Sequence, residues 1–426
     1  MKICVMTLGC KVNKYESDAL LYNLSLKGYE VCDCLEKADV YVINTCAVTG
    51  EAEKKSRQMI ARCKKFNKNA NIFICGCASQ HNKEQFEEKG VTLVMGTAGK
   101  IKISEYIDKL AKGDKKIAKT RSKLAHLPKD YEDDLNARQS RTRAYIKIQD
   151  GCDNFCSYCI IPYLRGRSRS RGIFSILSEA GKTDENIKEI VLTGINVTDY
   201  KIDGQKGLLT LLTELDKIGK RIRLSSMEDT LVDEEFLKGL ASLDNFCPHF
   251  HLSLQSGSNS VLKRMNRHYT AEQFEESVKL IRKYFPLAGI TTDVIVGFAG
   301  ESDEEFRETY EFCKRVAFSQ LHIFQYSVRE GTIASKLYKD INGKIKQERS
   351  EKLSKLNQVL RENFIKKNKY EEVLFEEQED GLYVGYTKNY IRTYVKSKQD
   401  LKDKIAKVKI KKPFKEGASG KLVKLL

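Results

Sequence analysis

Cys152, Cys156 and Cys159 fall within the stretch DGCDNFCSYCIIPYLRGRSRSR (150–171), spaced C-x3-C-x2-C with Tyr158 before the last. A closed zinc site needs a fourth Cys or His, and none occurs between Cys159 and Cys247. An iron–sulfur cube held by three thiolates keeps one iron open. An open iron suits catalysis better than structural support. A second set, Cys10, Cys46 and Cys77, is scattered in sequence, but each cysteine ends or follows a strand-like run: KICVMTL (2–8), VYVINTC (40–46) and NIFICGC (71–77). In an open parallel sheet, groups at the carboxyl ends of strands converge on one crevice, so these three could ligate a second cluster. Cys75 rivals Cys77, but alternation turns Cys75 into the strand's packing. Cys4, Cys32, Cys63 and Cys313 sit in apolar strand- or helix-like patterns and read as small buried hydrophobes.

The elements that must position these groups alternate. Residues 1 to about 98 add a fourth strand candidate, TLVMG (92–96), with helical periodicity between the strands. That alternation means a parallel sheet covered on both faces. A charged stretch at about 112–143 reads as an exposed linker. Six strand candidates follow, at 144–149, 189–195, 221–227, 249–255, 290–298 and 320–327. Six successive βα units imply a partial (β/α)6 barrel with its site at the strand carboxyl ends, where the 152–159 cluster sits. After an amphipathic helix at about 345–369, short alternating strands suggest a small antiparallel β-barrel.

The 426 residues carry 75 Lys and Arg against 58 Asp and Glu, a net charge of +17. Lys388 to Leu426 has 13 basic and 3 acidic residues, and Asn136 to Arg171 has 8 basic and 2 acidic. Basic residues gathered at two places point to a polyanion partner. Tyr383, Tyr386, Tyr390 and Tyr394 interleave with Lys388, Arg392 and Lys396, an arrangement suited to base stacking and phosphate contact. Half-burial in a barrel core is the alternative for each tyrosine. Arg165, Arg167, Arg169 and Arg171 follow the cluster loop, where a guanidinium fork suits phosphate; alternation lets only about half of them face it, the rest pairing with acidic groups or staying solvated. No apolar run approaches the length of about 18 that suggests a membrane span. The N-terminus lacks a signal-peptide pattern, so a cytoplasmic protein is expected.

The cysteine loop after the first barrel strand resembles that of radical S-adenosylmethionine (SAM) enzymes. TLGCKVNKYES, VINTCAVT and CGCASQ resemble the three cysteine motifs of the methylthiotransferases, and the likeness continues through VLTGIN, RLSS, HLSLQSGSNSVLKRMNRHYT, DVIVGFAGES and FQYSVREGTIA. Ala299 and Gln325 stand where proline is expected, and Ser302 where threonine is usual. The resemblance implies an N-terminal domain (1–111), a linker (112–137), a radical SAM core (138–368) and an RNA-binding TRAM barrel (369–426). It also implies two 4Fe–4S clusters. Cys152, Cys156 and Cys159 would hold the one that cleaves SAM to an adenosyl radical; Cys10, Cys46 and Cys77 would hold the one that presents sulfur. Two SAM molecules are consumed per turnover. SAM should lie across the strand tops, near Asn196, Ser225 and Gln255, with Tyr158, Ile295 and Gly297 against adenine; a strand-end cap or core packing is the alternative for each.

Family members modify a tRNA adenosine or a ribosomal-protein aspartate. The basic tail favours RNA. Lys-Val-Asn after Cys10 resembles the branch acting on N6-threonylcarbamoyladenosine at tRNA position 37, whereas the isopentenyladenosine branch tends to have Met-Asn. The chemistry implies a reductant such as flavodoxin or ferredoxin and a sulfur donor. A non-enzymatic metal- and RNA-binding protein would explain the tail but not the open triad.

Overall fold

The computed structural model of the chain describes residues 1–113, 126–133, 137, 142–337 and 339–426. Its first sheet holds five parallel strands: β1 (Lys2–Thr7), β2 (Glu30–Cys32), β3 (Val40–Thr45), β4 (Asn71–Gly76) and β5 (Leu93–Val94), in the order β2-β1-β3-β4-β5. Strand alternation sends Ile3, Val5, Val42 and Phe73 to one face, where Leu20 and Leu24 of α1 (Lys11–Leu26) cover them. Cys4, Tyr41, Ile43 and Ile74 go to the other, under Met59, Ile60 and Cys63 of α2 (Gly50–Phe66). Sequence periodicity missed β2, which is a three-residue edge strand. Most of the expected linker, 112–137, lies outside the described residues.

All six expected barrel strands form: β6 (Arg143–Lys147), β7 (Glu189–Thr193), β8 (Arg221–Leu224), β9 (His249–Gln255), β10 (Gly289–Val296) and β11 (Gln320–Gln325). They are parallel and pair in chain order, but as two sheets. β8 pairs with β7, and the two residues Ser226–Met227 pair with β9, so the chain changes sheets at Ser225. Ser302 replaces the usual threonine without loss. Its hydroxyl accepts from the Glu305 amide at 3.2 Å while Glu305 accepts from the Ser302 amide at 2.9 Å, a complete capping box for the helix Asp303–Val316.

The long helix Gly343–Lys367 leads into a closed barrel of β12 (Tyr370–Glu379), β13 (Leu382–Thr387), β14 (Arg392–Val395), β15 (Ile405–Phe414) and β16 (Gly417–Leu425), ordered β12-β13-β14-β16-β15. The expected all-antiparallel pairing is corrected at one seam, where β14 and β16 run parallel. A closed ring of five strands cannot alternate direction all the way round, so one parallel pair is unavoidable.

Candidate functional site

The loop carrying Cys152, Cys156 and Cys159 is held at both ends. The Cys152 amide donates to Gly166 O at 3.1 Å, and the Ser157 amide to Met265 O at 2.9 Å. Gly151 has φ +73, and a Cβ there would fall 1.9 Å from Arg167 O, so only glycine lets the two chain segments cross. Burial, with the neighbouring Cys156 adding to it, pushes the Cys152 and Cys159 thiols up to about 12. Metal binding must therefore displace protons here. Arg267 Nη1 donates to Cys156 Sγ at 3.3 Å, and its Nη2 pairs with Glu228 Oε1 at 2.8 Å. Sequence reading missed Arg267, although it stands inside the motif MNRHYT.

The second triad is assembled by the sheet. Cys10, Cys46 and Cys77 follow the carboxyl ends of the adjacent strands β1, β3 and β4. Two glycines let the loops close up. A Cβ on Gly9 (φ +99) would meet Cys46 Sγ at 2.6 Å, and one on Gly76 (φ +106) would meet Thr45 O at 2.5 Å. Burial raises the Cys46 thiol to about 12, and the charges of Cys77 and Cys10 add to it. Burial raises Cys77 as well, against the opposing Arg165 guanidinium. Cys75 lies in the apolar core, as alternation required.

Arg165 is the first correction. It was expected to face phosphate but is 1% exposed. Its Nε donates to Cys77 Sγ at 3.4 Å, its Nη1 to Glu16 Oε1 and Asp150 Oδ1 at 3.0 Å each, and its Nη2 to Asn13 Oδ1 at 2.8 Å. Lys147 joins the same carboxylates, with Asp150 Oδ2 at 2.6 Å and Glu16 Oε1 at 2.9 Å, and Lys100 pairs with Glu16. This buried network ties the N-terminal sheet to the barrel. Arg169 is buried too, donating to the carbonyls of Arg165 and Arg167, and Arg171 pairs with Glu179 and Asp133. Of the four arginines, Arg167 remains outside, its side chain 73% exposed, lying 4.6 Å over the Phe155 ring.

The proposed SAM contacts divide. Ser225 is buried where the sheets part, and its Oγ has no hydrogen-bond partner among the described residues, an orphan suited to a ligand. Gln255 ends β9 at φ +67 beside a register shift. Tyr158 and Ile295 pack on one apolar cluster with Phe298 and Tyr326. Asn196 acts as a cap instead: its Oδ1 accepts from the Thr198 amide at 3.2 Å. A Cβ on Gly297 would meet Lys346 Cγ at 2.4 Å, so that glycine serves a close helix contact.

The tyrosines of the C-terminal barrel take the second of their two sequence readings, packing rather than stacking on bases. Tyr390 stacks on His249 at 4.4 Å and on Tyr386 at 4.7 Å, Arg223 lies 4.8 Å over Tyr390, and Tyr383 and Tyr394 are buried. Arg223 also donates to the carbonyls of Lys388 and Thr387 at 2.9 and 3.2 Å, so the β13–β14 turn plugs the barrel floor rather than stacking on bases. The Lys388 ammonium is 3.3 Å from Asp244 O. Arg392 pairs with Glu379 at 2.8 Å and Glu416 at 3.3 Å, while Lys396 is exposed. Sequence reading passed over a further basic face. Lys407 and Lys409 on β15 stand directly opposite Lys424 and Lys421 on β16, all exposed, and Lys409 lies 5.6 Å over the ring of Tyr370. Like charges paired across strands are destabilising, which an anion would relieve.

Inside the barrel, His251 Nδ1 contacts Thr291 Oγ1 at 2.8 Å and its Nε2 lies 3.2 Å from Asp293 Oδ2, with the His322 ring 5.3 Å away. Lys11, beside Cys10, is exposed, yet its charge acts on Arg143, Arg223, Tyr390, Asp293 and His322.

Residues 146–313 match the Radical SAM superfamily, and residues 2–96 match Uncharacterized protein family UPF0004. The chain is 41% identical to the threonylcarbamoyladenosine tRNA methylthiotransferase MtaB of Bacillus subtilis, over 96% of this chain and 94% of that one. It is 36% identical, over the whole of both chains, to the tRNA-2-methylthio-N(6)-dimethylallyladenosine synthase of Thermosipho africanus. In fold it resembles the radical SAM methyltransferase TsrM of Kitasatospora setae, with a TM-score of 0.56 at 16% identity over 78% of this chain and 77% of that chain.

Proposed function

The chain belongs to the radical SAM methylthiotransferases, enzymes that use iron–sulfur and SAM cofactors, and from that premise we propose that it converts N6-threonylcarbamoyladenosine at tRNA position 37 to the 2-methylthio derivative. The observation that carries the substrate is the near full-length identity to the Bacillus enzyme of that name. Cys152, Cys156 and Cys159 hold one 4Fe–4S cluster, and Cys10, Cys46 and Cys77 hold the second. Bound there, the clusters and two SAM molecules supply the radical, the sulfur and the methyl group, with electrons from a flavodoxin- or ferredoxin-type reductant and sulfur from a donor.

The chain's own residues do the positioning. Arg267 donates to Cys156 Sγ and pairs with Glu228, fixing the position of that ligand. Ser225 Oγ and the strained end of β9 at Gln255 offer polar contacts for SAM, and Tyr158 with Ile295 offers an apolar wall. Arg165 connects Cys77 to the loop segment that follows Cys159, holding the two triads in one register. The threonylcarbamoyl carboxylate needs a cationic or hydrogen-bonding lining; Lys11 is the candidate cation, and burial holds the His322 imidazole below its ordinary range, so that it serves as a neutral hydrogen-bond partner. RNA phosphate meets Arg167, Lys396 and the lysine face of β15 and β16. No described helix is long and apolar enough to cross a membrane, in keeping with a cytoplasmic enzyme.

Mass spectrometry of tRNA nucleosides, with and without the gene in its own host, tests this reading. Loss of 2-methylthio-N6-threonylcarbamoyladenosine with accumulation of its precursor is expected. Loss of the dimethylallyl analogue instead would move the substrate to that of the Thermosipho relative, a reading favoured by its 36% identity over the full length. If neither changes and no paralogue compensates, the ribosomal-protein aspartate becomes the substrate to test.

A further inference from the structure

Cys4, Cys32, Cys34 and Glu36 gather at the open edge of the first sheet, away from both triads. Cys4 on β1 and Cys32 on the edge strand β2 are register partners, with Cα atoms 4.8 Å apart and sulfurs within bonding reach. Cys4 Sγ, Cys32 Sγ and a Glu36 carboxylate oxygen all lie within 4.8 Å of one another. The exposed Cys34 thiol points at the same carboxylate, 3.6 Å from Oε1. The Cys32 sulfur is 3.6 Å from Cys34 O, and the Cys4 sulfur 3.9 Å from Glu36 O, so residues 32–36 wrap around Cys4. Cys4 and Cys32 do pack in the apolar cluster, as their sequence pattern implied, but they are not lone thiols; Cys63 and Cys313 fill the plain buried role.

Two chemistries compete for such a cluster. A disulfide uses two of the four groups and gives Cys34 and Glu36 no part. A cluster that must be reduced before it can cleave SAM works only in reducing surroundings, where a neighbouring cysteine pair stands as thiols. Cys4, Cys32 and Glu36, by contrast, already place three ligand atoms together, and Cys34 beside Glu36 can supply the fourth of a four-coordinate set for a borderline-soft dication. We propose that Cys4, Cys32, Cys34 and Glu36 bind a thiophilic divalent cation, zinc by the character of the ligands. Binding releases the three thiol protons to solvent. Lys2, 3.2 Å from Glu36 and 2.8 Å from Glu30, offsets part of the surplus negative charge of three thiolates and a carboxylate around a dication. The bound ion fastens the edge strand β2 and the turn after it to β1.

Full-length protein reconstituted with iron and sulfide, so that the six triad cysteines are occupied, is titrated with Co2+ as the probe. A thiolate-to-cobalt charge-transfer band saturating at one equivalent is expected. Cys32→Ser and Cys34→Ser should each weaken it by at least about tenfold, with iron content and SAM cleavage unchanged. Cys34 is exposed, so its serine variant keeps the fold. Three outcomes would overturn the site: no band in the unsubstituted protein, a band unaffected by either substitution, or a Cys4–Cys32 disulfide recovered by peptide mapping from acid-quenched cells.

Discussion

The two cysteine triads reach the same ligand count by opposite routes. Cys152, Cys156 and Cys159 are brought together by eight residues of one loop. Cys10, Cys46 and Cys77 span 68 residues and meet because β1, β3 and β4 are neighbours in a parallel sheet. A loop triad carries its geometry in its own spacing. A sheet triad is only as well made as the sheet, the glycines that let its loops touch, and Arg165, which reaches in from the other half of the molecule to Cys77. Chemistry that can be confined to one cluster should therefore survive damage to the second, but not the reverse.

The sharpest break of that comparison removes one ligand from each triad. Cys156→Ala should lower both 5′-deoxyadenosine and methylthiolated tRNA below about one-thousandth of the unsubstituted enzyme. Cys46→Ala should lower the methylthio product as far while SAM cleavage stays within about tenfold. Quantifying both products in the same reactions decides it. Equal loss in both variants would mean that the triads are not separable.

A smaller effect comes from the residue that joins them. Arg165→Met strips a buried guanidinium from Glu16 and Asp150, and breaking one partner out of a buried charge set costs about 3–5 kcal/mol. Lys147 and Lys100 still pair with the two carboxylates, so the loss should fall at the lower end. Urea unfolding measures it. The variant should also lose methylthiolation more than SAM cleavage, because Cys77 loses its neighbouring charge and the 152–159 loop keeps its own backbone anchors. An unchanged midpoint would show that the network is not what holds the two halves together.

The same contrast explains what could be read from sequence. The loop triad, the six barrel strands and the strand-end cysteines were legible because each is a local pattern of spacing or alternation. Turning Cys75 into the sheet's packing needed only the period of two along a strand, and Cys77 is set apart because it begins the turn after β4. What sequence could not show is which partner a charge finds. The basic run 165–171 looks like a phosphate-facing strip, yet three of its four arginines meet Glu16, Asp150, Asp133 and Glu179, brought close by tertiary folding from as far as 149 positions away. Tyr386 and Tyr390 look like a stacking platform until the barrel floor, with His249 and Arg223, is placed beneath them. Cys4 and Cys32 fit an apolar pattern, and only the pairing of an unforeseen edge strand sets them side by side.

The lysine face of the C-terminal barrel gives the smallest effect and the clearest sign. Lys409 and Lys421 face each other across β15 and β16, so replacing both with glutamine removes a like-charge pair and should stabilise the fold slightly, by about 0.2–1 kcal/mol. If the face exists to meet RNA phosphate, the same change must weaken tRNA binding. The dependence of log Kd on log salt should then become shallower by about two, one for each phosphate that a lysine no longer neutralises. SAM cleavage in the absence of tRNA should not move, since no residue of either triad is touched. Thermal unfolding and a salt titration of tRNA binding on one preparation read both signs together. Greater stability with weaker, less salt-sensitive binding identifies a surface that keeps a repulsion because its ligand relieves it. Greater stability with unchanged binding would return the face to ordinary solvated lysines and direct the tRNA to Arg167 and the mouth of the cluster loop.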